Sequence, residues 1–185
     1  LGDSQRQLGN SKAAKSSYKK AINLDNFNLR AHYNLGLISK EAGDLDDALS
    51  SFTTVAKLKP DLAEAHISIG AILHEQGQAS AAVASLKKAL SYQPNSALAH
   101  SNLGNSLCSL GDFEGAVNAL QIATSIDPNY AEAHNNLGLA LQKTGNLIAA
   151  VSSFKTALHL KKRFPEALNN LGLTLQEKGE INNAI

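Results

Sequence analysis

The sequence predicts an all-α protein, an α-solenoid of stacked antiparallel helix pairs. Three observations carry that prediction: a hexapeptide that returns every 34 residues, two columns of glycine in fixed register, and no alternating strand pattern. The hexapeptide is A-H-Y-N-L-G from Ala31, A-H-I-S-I-G from Ala65, A-H-S-N-L-G from Ala99, A-H-N-N-L-G from Ala133 and A-L-N-N-L-G from Ala167. Counting positions from residue 29, full repeats span 29–62, 63–96, 97–130 and 131–164. Partial repeats fill 1–28 and 165–185, no insertion interrupts the register, and the chain reads as a single array.

The elements of one repeat follow in order. The first helix carries glycine at position 8, in Gly2, Gly36, Gly70, Gly104, Gly138 and Gly172. It closes at a second glycine, position 15, in Gly9, Gly43, Gly77, Gly111, Gly145 and Gly179, each followed by Asp, Asn, Gln or Glu. Glycine there accepts the left-handed conformation that ends a helix, and the polar residue opens the next one. The second helix carries alanine at position 20 (Ala14, Ala48, Ala82, Ala116, Ala150, Ala184) and a large residue at position 24 (Phe52, Leu86, Leu120, Phe154). Small residues at 8 and 20 let the two backbones cross closely, and the large residue fills the space beside them. Pro60, Pro94 and Pro128 at position 32 stop the second helix. The unit is two helices of roughly 14 residues joined by a tight turn.

Gly at 8 and 15, Ala at 20, a large residue at 24, Ala at 27 and Pro at 32 resemble the tetratricopeptide repeat, over the whole chain. The departures are few. Position 4 is His or Leu rather than aromatic, Val55 replaces Ala at 27, and Asn26 and Lys162 replace Pro at 32, which loosens those two turns. Pro165 restarts a helix at its first residue. The resemblance implies a right-handed superhelix whose concave groove binds partners.

At 100° per residue, positions 4, 7, 8 and 11 of the first helix form a packing band, with 2, 5, 6, 9, 12 and 13 opposite and exposed. The exposed band carries a column of amides. Position 6 is Asn34, Ser68, Asn102, Asn136 and Asn170; position 5 is Tyr33, Ile67, Ser101, Asn135 and Asn169. Position 9 adds Asn105 and the apolar Leu37, Ala71, Leu139 and Leu173. First helices about 10 Å apart would present one Asn to roughly every third residue of an extended peptide. A primary amide offers a donor and an acceptor, and so satisfies a peptide's N–H and C=O whatever its side chains. The ladder resembles the repeat region of O-linked N-acetylglucosamine transferases, where ladder asparagines hold the backbone of a threaded protein. The alternative is that position-6 Asn bonds a neighbouring helix or water.

Other chemistry is weakly represented. The 17 basic and 16 acidic residues are interspersed and aromatics are 5%, which argues against nucleic acid. No apolar run approaches the roughly 18 residues of a membrane span. Cys108 stands alone, which excludes an internal disulfide and fits a reducing, cytoplasmic setting. His32, His66, His100 and His134 share position 4, yet helices about 10 Å apart hold them too far from one another for one zinc ion, whose ligands sit at ~2.0–2.1 Å. They read as packed, hydrogen-bonded stand-ins for an aromatic residue. His74 and Cys108, both at position 12, are too few for a metal site. A carboxylate clamp of the kind some tetratricopeptide domains use needs Lys at positions 2 and 5 and Arg at 6. Here position 5 has no Lys, position 6 has no cation, and position 2 has Arg30 beside Glu64, Glu132 and Glu166. The basic run Lys161-Lys162-Arg163 reads as a solvated turn. No catalytic motif or phosphate-cradling loop is present, so neither catalysis nor a cofactor is expected of this segment.

Neither end of the sequence shows a polar capping helix, and Leu171, Leu175 and Ile181 would leave part of a packing face uncovered, so end-to-end self-association is expected. The expected function is a protein–protein interaction scaffold that binds an extended peptide along Asn34 to Asn170. The alternative is the substrate-recruiting arm of a larger enzyme, such as a glycosyltransferase, with its catalytic domain elsewhere.

Overall fold

The computed structural model describes residue 2 and residues 10–179. The chain divides into two compact units, Leu1–Pro94 and Asn95–Ile185. Ten helices lie among the described residues. The first unit holds α1 (Ser11–Leu24), α2 (Leu29–Glu41), α3 (Leu45–Leu58), α4 (Ala63–Glu75) and α5 (Ala79–Tyr92). The second holds α6 (Ala97–Ser109), α7 (Phe113–Ile126), α8 (Ala131–Lys143), α9 (Leu147–Leu160) and α10 (Pro165–Glu177). Every first helix begins 34 residues after the last, at Leu29, Ala63, Ala97, Ala131 and Pro165, so the sequence period is the structural period. Position 15 Gly9, position 20 Ala184 and Ile181 lie outside the described residues.

The turn inside each repeat explains the fixed register. Gly43, Gly77, Gly111, Gly145 and Gly179 have φ of +76° to +80°. Around Gly43, the Gly43 N–H reaches the Lys40 carbonyl at 3.0 Å and the Asp44 N–H reaches the Ser39 carbonyl at 2.8 Å. This pair of bonds satisfies the orphan carbonyls at the end of α2. The next residue also starts the second helix. Asp112 and Asn146 accept the N–H groups of Gly115 and Ala149 through their side chains. Asp44 makes no such cap and instead accepts from Lys15 Nζ at 2.6 Å.

Position 8 packs as its lack of a side chain requires. A Cβ built on Gly36 would lie 2.9 Å from the Phe52 ring, and on Gly138 2.6 Å from Phe154. Phe52, Leu86, Leu120 and Phe154 are all 0 % exposed. In the first unit Ala48 and Phe52 of α3 cluster with Ile69, Ile72 and Leu73 of α4 and Ala82 of α5. In the second, Ala116 and Leu120 of α7 cluster with Leu137, Ala140 and Leu141 of α8 and Ala150 and Phe154 of α9. Burial on this scale is the main source of helix stability here, since helices of this length are marginal alone.

Proline at position 32 does not set where the second helix ends. α1 and α9, followed by Asn26 and Lys162, end in the same register as α3, α5 and α7. Their cap N–H groups bond back normally, Asp25 to the Ala21 carbonyl and Lys161 to the Ala157 carbonyl. The turn after α1 is closed by the Asn28 N–H to the Asp25 carbonyl at 3.1 Å, as Leu62 closes on Lys59 and Tyr130 on Asp127. Among the described residues no such bond closes the turn after α9; there the Lys161 ammonium lies 4.5 Å over the Phe164 ring. The expected loosening is not seen after α1. On α10, Leu175 is buried at 3 % exposure rather than left uncovered, while Leu168 and Leu173 are the exposed apolar residues.

Candidate functional site

The amide column divides between the two units. Asn34 on α2 and Ser68 on α4 stand half-buried in the first unit; Asn102 on α6, Asn136 on α8 and Asn170 on α10 do so in the second. Position 5 does not share that exposure. Ile67 is 7 %, Ser101 1 % and Asn135 6 % exposed, which corrects the expectation of an open position 5. For Ser101 and Asn135 the cause is a second neighbour: within the second unit α6 touches α8 and α8 touches α10, so these helices are covered along a side as well as on the packing band. Tyr33 is half-buried with its ring edge on Phe52, centroids 5.5 Å apart, and Asn169 is exposed on α10.

Side chains at this seam bond between repeats and within them. Asn170 Nδ2 donates to Asn135 Oδ1 at 3.1 Å, and Asn135 Nδ2 donates to Asn136 Oδ1 at 3.3 Å. The Tyr130 phenol has its pKa raised chiefly by burial. Within the second unit, and among the described residues, the side chains of Asn102 and Asn105 make no hydrogen bond. Position 9 is half-buried at Leu37, Ala71, Asn105 and Leu139, and open at Leu173. Leu37 packs on the Phe52 cluster and Leu139 on the Phe154 cluster, so each serves the core and the face together. Beside Asn34 a hollow of about 340 Å³ is walled by Tyr18, Ala21, Leu24, Arg30 and Ala31, among others.

Charge on this face is paired where it is best placed. Lys161 Nζ lies 2.7 Å from Glu132 Oε1, and that hydrogen bond holds the Glu132 carboxyl below its ordinary range. Lys162 and Arg163 are exposed in the turn. The role of Lys161 was not legible from the amide column. Its signal is a spacing of 29, from Glu132 to Lys161, which joins a first helix to the turn that closes its own repeat.

The histidine column holds the other turns. His32 Nε2 lies 3.0 Å from the Asn26 carbonyl, His66 Nε2 2.8 Å from that of Pro60 and His134 Nε2 3.0 Å from that of Pro128. Each ring reaches six residues back to the loop before its helix. His66 also stacks on Tyr92, centroids 5.9 Å apart. Among the described residues no group of three or more His, Cys, Asp or Glu gathers where it could hold a metal ion. Burial pushes the Cys108 thiol pKa up, so its reactive thiolate is disfavoured. No helix among the described residues is long and apolar enough to cross a membrane.

Comparison with known proteins follows the same register. Family models described as TPR repeat match residues 70–107 and 104–145, and models described as tetratricopeptide repeat match 1–61 and 131–164. No curated protein sequence matches the chain. Among solved structures, the chain resembles MamA at TM-score 0.81 and 29% identity, covering 88% of this chain and 95% of that one. It resembles PilW, a widely conserved type IV pilus biogenesis factor, at TM-score 0.88 and 23% identity over 100% of this chain and 86% of that one. YrrB, a TPR protein with an unusual peptide-binding site, superposes at TM-score 0.72 and 23% identity, over 91% and 87%.

Proposed function

The chain belongs to the tetratricopeptide repeat family, and from that premise we propose that it is an interaction scaffold that holds an extended segment of a partner protein by its backbone. The observation that carries this reading is the position-6 column. Asn102, Asn136 and Asn170 recur at one register of α6, α8 and α10, half-exposed, while the residues beside them at position 5 are turned into the structure or, in Asn169, lie on the outermost described helix. Packing alone does not call for an amide at a half-exposed site, whereas a peptide backbone has unpaired N–H and C=O groups that an amide satisfies. Asn105, Leu139 and Leu173 flank the column and offer polar and apolar contact to the segment's side chains. In the first unit Asn34 and Ser68 hold the corresponding register, and the hollow beside Asn34 has room for a side chain of the ligand.

The absence of any cation at position 6 favours a neutral internal segment over a terminal carboxylate. The test is a selection of random dodecapeptides on the 185-residue protein, followed by affinity measurement on an Asn102→Ala/Asn136→Ala/Asn170→Ala variant of equal helicity. Three lost hydrogen bonds at about 1 kcal/mol each predict a loss of roughly a hundredfold. Equal affinity in the two proteins refutes the reading.

A further inference from the structure

Two amides of the proposed site do not act independently. Asn135, 6 % exposed on α8, receives a hydrogen bond from Asn170 of α10 and gives one to its neighbour Asn136. A primary amide has one carbonyl end and one amino end. Asn170 meets the carbonyl end of Asn135 and Asn136 meets its amino end, so Asn135 accepts from one and donates to the other, and rotating it by 180° only exchanges which is which. The outer amides are left with opposite spare groups in either orientation. Here Asn136 engages its Oδ1 and keeps both Nδ2–H groups, while Asn170 engages one Nδ2–H and keeps its Oδ1 whole. Asn102 has no such bridge within its unit and can rotate to suit a ligand.

We infer that Asn135 is a positioning residue that fixes Asn136 and Asn170 as one donor and one acceptor. This stretch of α8 and α10 then accepts a ligand that offers a C=O to one amide and an N–H to the other, as a neutral peptide backbone does. A carboxylate, which only accepts, leaves the Asn170 Oδ1 unmet, and an ammonium, which only donates, leaves the Asn136 Nδ2–H groups unmet. The inference rests on the peptide-binding reading and adds the origin of its selectivity.

The test uses two end-capped octapeptides of alternating Thr and Val, labelled with a fluorophore, one of them N-methylated at alternate backbone nitrogens. The protein is expected to bind the methylated peptide about fivefold more weakly, through one lost hydrogen bond. Asn135→Leu keeps the volume and removes the bridge. It should weaken the unmodified peptide by a similar factor, shrink the difference between the two peptides, and speed hydrogen exchange at the Asn170 side-chain amide. Asn135→Asp, which offers acceptors alone, should draw both outer N–H groups inward and weaken binding at least as much. If Asn136→Ala and Asn170→Ala leave affinity unchanged, or the protein binds neither peptide, the peptide-binding reading fails. If those two weaken binding while Asn135→Leu and Asn135→Asp do not, the bridge is refuted and the groove stands.

Discussion

Adding one methyl group at Gly138 tests what holds the helix pairs together. A Cβ there would lie 2.6 Å from Phe154 Cε1 and 2.7 Å from Cδ1 and Cζ, whereas carbon atoms settle at about 3.5–4.0 Å. Roughly 1 Å must be taken up by a ring that is 0 % exposed and enclosed by Leu137, Leu141 and Ala150. On an open helix Gly→Ala stabilises by about 1 kcal/mol. Overfilling a packed core costs about 1–3 kcal/mol, so Gly138→Ala should destabilise by about 1 kcal/mol. Phe154→Ala costs about 3–5 kcal/mol by itself, but it vacates the space. In that background Gly138→Ala should recover its helix-forming gain, so its effect changes sign, with a coupling energy of about 2 kcal/mol. Urea denaturation followed by helical circular dichroism measures all four corners of this cycle. A Gly138→Ala protein more stable than its parent, or an effect of the same sign in both backgrounds, would refute steric control of the crossing.

Three further outcomes follow from the same geometry. Gly145→Ala meets nothing within 4 Å, yet its φ of +80° strains an L-residue by about 1–2 kcal/mol; thermal melts should show a lower Tm, with Gly145→Asn retaining more of the loss. His66→Ala removes both the bond to the Pro60 carbonyl and the stack on Tyr92, and should cost about 2 kcal/mol in urea, against less for His66→Gln, which can still donate. Glu132 has its pKa lowered by Lys161 from an ordinary 4.5, so its contribution is present above that value and fades as pH falls through the depressed one. Lys161→Met should therefore flatten the fall in Tm on acidification below about pH 4.5; an unchanged slope would show the pair to be without consequence.

How much of this was readable in the sequence depended on how many neighbours each residue has. Gly43 and its four equivalents announce a left-handed turn because a single backbone angle decides their identity, and the period then fixes every helix boundary. Gly138 and Phe154 were legible as a complementary pair for a similar reason, since each repeat contains both partners. Position 5 was misread because a helical wheel imagines one packing direction. A first helix that a second one also covers along its side is buried over a wider arc, so Ser101 and Asn135 fall inside it. His32, His66 and His134 were read as packed and hydrogen-bonded, but the partner of each ring is a carbonyl oxygen of the preceding loop, which has no side-chain signature. The Asn135 bridge was illegible for a related reason: the column put Asn135 and Asn136 in one category, and only burial separates their roles.

The residues after Gly111 and Gly145 have two duties, and this constrains how such a chain can change its length. The Asp112 N–H ends α6 by reaching the Leu107 carbonyl, and its carboxylate starts α7 by accepting from Gly115. An insertion or deletion of one residue there separates the two duties and also rotates the following helix by 100°, which turns its buried alanine out of the crossing. Gene changes of small size are therefore filtered out at this turn. Those that survive add or remove an entire cassette, which restores every angle at once, and this is how a lineage of such proteins can grow by copying itself while an unbroken register of 34 persists from Leu29 to Pro165.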